Sequence, residues 1–303
     1  MNYTANGALK STYGDGLYRA CMLYYLYDVF RSGCIRMRFV REKKIFCGPS
    51  YVEVDIIPRT WEADMVAKRG TRSKKKRESA PKQRNLNEKN AKRYLRQLGN
   101  GNFGNGDWFI SLSYQEKFKP ESMDQAEKEV GNYIRRLKTR YKKLGRELKY
   151  ILVNEGGTNT VRFNHHLIIN SLESGLNRDD VEALWSKKPK GQKRERIGMV
   201  NARSIQTNEN GLEGILTYLS KDPKGRKRWS SSRNLVRPVS RPNDHKYGPR
   251  TIEKIAQTPD QGRDYFEKKY PEFDISEIEA KYYEETGWHV YLKMWRRVGR
   301  INR

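Results

Sequence analysis

The sequence predicts an α+β domain, an antiparallel sheet with helices on one face, built in the order β-α-β-β-α-β. Three patterns carry that reading. Residues 107–114 (DWFISLSY) set Trp108, Ile110, Leu112 and Tyr114 against Phe109, Ser111 and Ser113, the two-residue period of a half-buried strand. Met123, Ala126, Val130, Tyr133, Ile134, Leu137, Tyr141 and Leu144 then hold the 3.6-residue period of an amphipathic helix until Gly145 supplies a stop. Two further strand-like runs, 148–154 and 161–170, flank the turn-rich Gly156-Gly157-Thr158-Asn159.

Along the chain, residues 51–57 (YVEVDII) alternate like a short strand, and a helical pattern begins at Asn85, runs through Leu98 and stops at Gly99. Ser122, with Gln125 three residues on, opens the long helix as a capping box. A short helix over 178–186 and a strand over 197–205 complete the set. This order is the split βαβ, or ferredoxin-like, arrangement, in which the first and third strands are central neighbours and one face of the sheet stays free.

A last helix, 211–221, precedes Asp222-Pro223. Leu212, Ile215, Leu216 and Leu219 form its buried stripe, and Tyr218 sits at the edge of that stripe with Gly214 and Lys221, open to a ligand. Residues 251–270 read as helix, and Glu285-Thr286-Gly287 turns a hairpin between 278–283 and 288–295. The expected organisation is an N-terminal extension over 1–84 with a short strand and basic linker, a core over 85–235, and a helical and hairpin region over 236–303.

Composition narrows the function. With 62 Lys and Arg against 36 Asp and Glu, a net charge of +26, the expected partner is a polyanion, and nucleic acid is the commonest one. The break at residues 68–84 has nine Lys or Arg in seventeen positions and no large apolar residue, the composition of a solvated linker or arm. The longest apolar run, 17–30, is interrupted by Arg19 and Asp28, too short to span a membrane and unlike a signal peptide, so a cytoplasmic protein is expected. Cys21, Cys34 and Cys47 are widely spaced and odd in number, which argues against a disulfide framework or a zinc site. No phosphate-binding Gly-x-x-x-x-Gly-Lys-Ser/Thr loop occurs, so no fused ATPase or helicase domain is expected.

The histidines are concentrated in residues 162–170 (RFNHHLIIN). Strand alternation puts Arg162, Asn164, His166 and Asn170 on one face, and Phe163, His165, Leu167 and Ile169 on the apolar one. His166 therefore faces something wet or charged, and His165 is expected to be buried under a helix. His245 and His289 lie outside every motif.

These pieces resemble the HUH endonucleases, the replication initiators of rolling-circle elements, and in particular the phage gene II and plasmid initiator group. DWFISLSY resembles their first motif strand, RFNHHLIIN their His-hydrophobic-His metal strand, and Tyr218-Leu219-Ser220-Lys221 their Tyr-x-x-Lys helix. Residues 227–235 (KRWSSSRNL) are similar to the segment that follows the tyrosine in this group. The resemblance implies that Tyr218 attacks a phosphodiester of single-stranded origin DNA, leaving a 5′-phosphotyrosine and a 3′-OH for a host polymerase. A phenol with pKa about 10 costs about 4 kcal/mol to ionise at pH 7, which a divalent ion and Lys221 would offset.

The resemblance also implies a Mg²⁺ or Mn²⁺ site of Glu155, Asn164 and His166. Asn164 departs from the pattern, standing where the family carries its first histidine, although an amide oxygen suits a hard ion. Lys193 and Arg194, then Lys224, Arg226, Lys227 and Arg228, are the expected phosphate contacts, with Trp229 placed to stack on a base. Gly214 and Asp222 occupy the positions one turn either side of Tyr218, which disfavours a paired-tyrosine mechanism. The alternatives are a non-catalytic nucleic-acid-binding protein on the same fold, or a related transposase or relaxase. Relaxases typically place the tyrosine before the histidine motif.

Overall fold

The computed structural model describes residues 38–61, 81–156, 162–171, 176–188, 191, 193–220 and 229–297. In chain order the elements are β1 (Arg38–Phe46), β2 (Tyr51–Thr60), α1 (Pro81–Asn102), β3 (Trp108–Leu112), α2 (Met123–Lys143), β4 (Tyr150–Glu155) and β5 (Asn164–Ile169). There follow α3 (Arg178–Ala183), β6 (Ser186–Lys187), β7 (Glu195–Arg196), β8 (Val200–Ser204), α4 (Glu213–Leu219) and β9 (Ser230–Ser231). The last are β10 (Val239–Tyr247), α5 (Pro249–Ala256), α6 (Arg263–Lys269), β11 (Phe273–Tyr283) and β12 (Gly287–Arg296).

One five-stranded sheet has the order β8-β3-β5-β4-β9, with every pairing antiparallel. β3 and β5 are adjacent as the sequence expects, with Ser111 opposite His166. Ile110, Leu112, Leu152, Leu167 and Ile169 on one face meet Val130, Tyr133, Leu137 and Tyr141 of α2, together with Val181 and Trp185. Ser122 caps α2 by accepting from the Gln125 N–H, while the Gln125 side chain accepts from Glu121 N–H rather than from Ser122. The chain leaves α2 through Gly145 at φ +67°, a left-handed conformation that suits glycine.

The second face of this sheet is not free, and helices cover both sides. Phe109, Ile151, Val153 and Ile168 are buried beneath Leu95 and Leu98 of α1 and Leu212, Leu216 and Leu219 of α4. The reason is hydrophobic. That face carries apolar side chains between its polar ones, and the leucine stripe of α4 needs a surface on which to close, each fully buried side chain contributing about 1.5–3 kcal/mol. α4 is also shorter than the 211–221 pattern suggests, running over Glu213–Leu219. The segment that resembles the post-tyrosine motif supplies β9 at the sheet edge, where Ser232 Oγ accepts from Tyr150 N–H at 3.1 Å.

The second five-stranded sheet, β10-β1-β2-β12-β11, joins strands from both sides of the first. Val40, Val52, Val54, Ile56, Val290, Leu292 and Met294 are buried on one face with Ile252 and Ile255 of α5 and Phe266 of α6. The helix expected over 251–270 is broken in two. Gln261 and Gly262 take φ of 52° and 82°, and Asp260 accepts from the N–H groups of Gly262 and Asp264 to start α6. A Cβ at Gly262 would stand 1.9 Å from Ile255, so the break also allows close packing.

α1 extends past its expected limits of 85–98 at both ends, and at the C-terminal end this is because its glycines are contact points rather than stops. A Cβ on Gly101 would fall 1.6 Å from the Cys47 carbonyl oxygen, and one on Gly99 would fall 2.5 Å from Leu216. Gly101→Ala is therefore expected to destabilise the protein by about 1–3 kcal/mol through forced separation of α1 from the turn at Cys47. An unchanged urea midpoint for the variant would show that this contact is loose.

On the sheet side of α1, Arg93 forks between two buried carboxylates. Its Nε and Nη2 donate to Glu53 at 2.8 and 2.6 Å, and its Nη1 and Nη2 donate to Asp55 at 2.9 and 2.6 Å. Gln97 and Tyr51 complete the bonds to Glu53, at 2.8 and 3.0 Å. Burial lowers the Arg93 pKa, but the Asp55 hydrogen bonds and the Glu53 charge outweigh it and hold the guanidinium above its ordinary range. Cys47 is a buried free thiol. Residues 17–30, 68–80, Cys21 and Cys34 lie outside the described residues. Among the described residues no helix is long and apolar enough to cross a membrane.

Candidate active site

β3, β4, β5 and α4 converge on His166, which is only 7% exposed. Its Nδ1 lies 3.1 Å from Ser111 Oγ on β3. Its Nε2 lies 3.1 Å from Glu155 Oε2 at the end of β4 and 3.3 Å from the Tyr218 hydroxyl on α4. The Phe109 ring runs parallel to the imidazole at 6.0 Å, and the Tyr218 ring meets it edge-on at 5.1 Å. The ring is thus fixed in plane by Phe109 and aimed by Ser111, so that one nitrogen addresses both a carboxylate and a phenol.

This placement follows from strand register. Glu155 pairs directly with Asn164, and Val153 pairs with His166. Residues opposite each other in an antiparallel ladder share a face, as do residues two apart on one strand. Glu155, Asn164 and His166 therefore lie on the face that α4 covers. Asn164 is half-buried, and its amide nitrogen donates to the Arg162 carbonyl at 3.4 Å.

His165 takes the opposite face and is fully buried, as its apolar flank suggests. Its Nδ1 faces Asn154 Oδ1 at 2.8 Å and its Nε2 faces the Tyr114 hydroxyl at 2.8 Å. A carbonyl oxygen only accepts, so Nδ1 carries the proton and Nε2 accepts. Burial, with the neighbouring His166 adding to it, pushes the His165 pKa down to about 3 and keeps the ring neutral. Trp185 and Tyr114 close around it edge-on.

Tyr218 is 42% exposed, and nothing stands within 4 Å of where a Cβ on Gly214 would be. The phenol is thus reachable from solvent while its hydroxyl touches His166. Trp229 is half-buried, packed against the cluster that contains Leu219 and Leu235. Lys193 and Arg194 are exposed between β6 and β7, where Arg194 donates to Ser186 Oγ at 3.3 Å. Lys221, Lys224, Arg226, Lys227 and Arg228 lie outside the described residues.

Ser111 and Phe109 are site residues that motif reading passes over. Their signal was present in the expected pairing of the first and third strands, which sets Ser111 across from His166. Among the described residues no group of three His, Cys, Asp or Glu converges to hold a metal ion, so a metal here would draw on the Asn164 amide, water or substrate oxygens beside Glu155 and His166. The set fits a hard divalent ion. One carboxylate and one imidazole converge, and the remote imidazole nitrogen is held by a hydroxyl, the outer support typical of ligating histidines.

Residues 107–223 match the family model for replication-associated proteins of the ORF2 and gene II protein type. The matched segment runs from β3 past α4 and contains Ser111, Glu155, Asn164, His166 and Tyr218. It bears out the resemblance to rolling-circle initiators carried by the sequence motifs. No curated protein and no solved structure matches the chain.

Proposed function

We propose, on the premise of that replication-associated match, that this protein initiates rolling-circle replication by nicking and rejoining single-stranded origin DNA through Tyr218. The observation that carries the reading is the contact of the exposed Tyr218 hydroxyl with His166 Nε2 at 3.3 Å, beside Glu155. The strand order β8-β3-β5-β4 is the one a split βαβ endonuclease core requires, with the histidine on a central strand.

In the proposed reaction the Tyr218 oxygen attacks phosphorus and the P–O3′ bond breaks. The phenolic proton passes to the departing 3′ oxygen directly or through solvent. The products are a 5′-phosphotyrosine and a 3′-OH, and rejoining is the reverse attack by a 3′-OH with return of the phenol proton. Because one phosphodiester is exchanged for another, no high-energy cofactor is needed. Glu155, His166 and Asn164 would hold Mg²⁺ or Mn²⁺, which when bound supplies Lewis-acid polarisation of the scissile phosphate. Ser111 and Phe109 keep the imidazole oriented, and the α4 leucine stripe keeps the phenol over it.

Incubation with labelled single-stranded fragments of the protein's own element and Mn²⁺ tests this directly. A denaturant-resistant protein–DNA adduct supports the reading, and its absence across the whole element sinks it. Lys193, Arg194 and the basic run at 224–228 would grip phosphates, with a separate helicase opening the duplex and a host polymerase extending the 3′-OH. Affinity for single strands is expected to fall about tenfold or more between 50 and 200 mM salt, as cations are re-bound by the released DNA. Fluorescence anisotropy showing a flat salt response would rule out a phosphate-dominated interface.

A further inference from the structure

The helix that carries Tyr218 is anchored by the other sheet. Glu213, in the first turn of α4, receives Lys293 Nζ on both carboxylate oxygens at 3.0 and 3.1 Å, and Arg96 Nη1 at 2.7 Å. Lys293 lies on β12 and also donates to Glu277 of β11 at 2.7 Å, so the tie reaches two strands of the second sheet. Two further contacts fix the same end. The Leu212 N–H donates to Asn100 Oδ1 at 2.9 Å, and a Cβ on Gly211 would lie 2.5 Å from the Trp295 ring.

Burial of Glu213 pushes its pKa up, but the hydrogen bonds from Lys293 and Arg96 more than offset this and hold the carboxyl below the usual range. A charged, partly buried, doubly bridged carboxylate in the first turn also suits the positive end of the helix dipole. α4 has only seven residues, too few to hold a helical course by itself. Tyr218 stands five residues beyond Glu213, about 7.5 Å along the axis at 1.5 Å per residue. A tilt of about 8° about Glu213 would displace it by about 1 Å, and such a misplacement costs up to about a hundredfold in rate.

We propose that Lys293 and Glu213 are positioning residues for the nucleophile, so that the second sheet sets where the Tyr218 hydroxyl lies over His166. The inference rests on the Tyr218 reading and extends it through Glu213 to Lys293, which lies outside the segment matched by the replication family. Neither side chain needs to touch DNA for this role.

The test is single-turnover adduct formation by the full chain, comparing wild type, Lys293→Met, Lys293→Arg and Glu213→Gln. Lys293→Met and Glu213→Gln are expected to lower the rate at saturating DNA by about 10- to 100-fold while the half-saturating DNA concentration moves less than about twofold. Lys293→Arg, which also bridges a carboxylate, is expected to recover most of the rate. A rate equal to wild type in Lys293→Met and Glu213→Gln overturns the proposal. So does a loss of DNA affinity in step with rate, or a loss that Lys293→Arg fails to recover. If Lys293→Met proves unfolded by its melting curve, Glu213→Gln decides by the same criteria. A wild-type protein that forms no adduct on Tyr218 would instead remove the Tyr218 reading itself, a result visible before any variant is made.

Discussion

Tyr218→Phe is expected to abolish the covalent DNA adduct and lower strand cleavage at least about a thousandfold, while single-strand affinity stays within about twofold. The substitution removes one oxygen from a side chain that is 42% exposed. The edge-on ring contact with His166 at 5.1 Å can persist, and the leucine stripe that seats α4 is untouched. Loss of adduct by such a variant, with an unchanged melting curve, is hard to ascribe to anything but the missing nucleophile. Equal adducts from both proteins, resolved on a denaturing gel, would remove Tyr218 from the mechanism. Peptide mapping of the wild-type adduct would then identify the residue that does attack.

Arg93→Leu is expected to cost about 3–5 kcal/mol of folding stability, because it strands two buried carboxylates. Glu53 and Asp55 are 3% and 6% exposed, and Arg93 is the cation that both share. Gln97 and Tyr51 still donate to Glu53, but neither carries charge. Arg93→Lys should recover only part of the loss, since an ammonium offers a point charge where the guanidinium meets each carboxylate through two hydrogen bonds. Replacing Arg93, Glu53 and Asp55 together with apolar residues of similar volume is expected to cost less than Arg93→Leu alone. Urea denaturation of the three variants checks the ordering. A triple variant less stable than the single one would mean that the ion pair adds net stability.

The parts of the fold that were legible in the sequence are those whose partners lie nearby in the chain. α2 announced itself by period, cap and glycine stop, and the alternation of DWFISLSY and RFNHHLIIN was enough to separate His166 from His165 and to make their strands neighbours. Tyr218 was legible from its place at the edge of a leucine stripe. What that stripe packs on was not, because the sheet face beneath it mixes Phe109, Val153 and Ile168 with the polar residues that made it look free. The glycines of α1 read as breakers because the close approach of Cys47 and Leu216 depends on residues far away in sequence. β1 and β10 gave little signal for a related reason. Their alternation is interrupted by charged side chains and a bulge, and their pairing joins residues about two hundred positions apart.

β2 lies between β1 and β12, and its pairing of Ile56 with Val290 spans about 230 residues. On a ribosome adding about 5–20 residues per second, β2 waits roughly 12–46 seconds for that second neighbour. Throughout that interval a strand bearing Val52, Val54 and Ile56 is bare along one side, the kind of edge that recruits other chains. The tie from β12 to Glu213 cannot form until then either. Newly made protein therefore gains the brace on the first turn of α4 late, after the histidine strand and Tyr218 have both been synthesised.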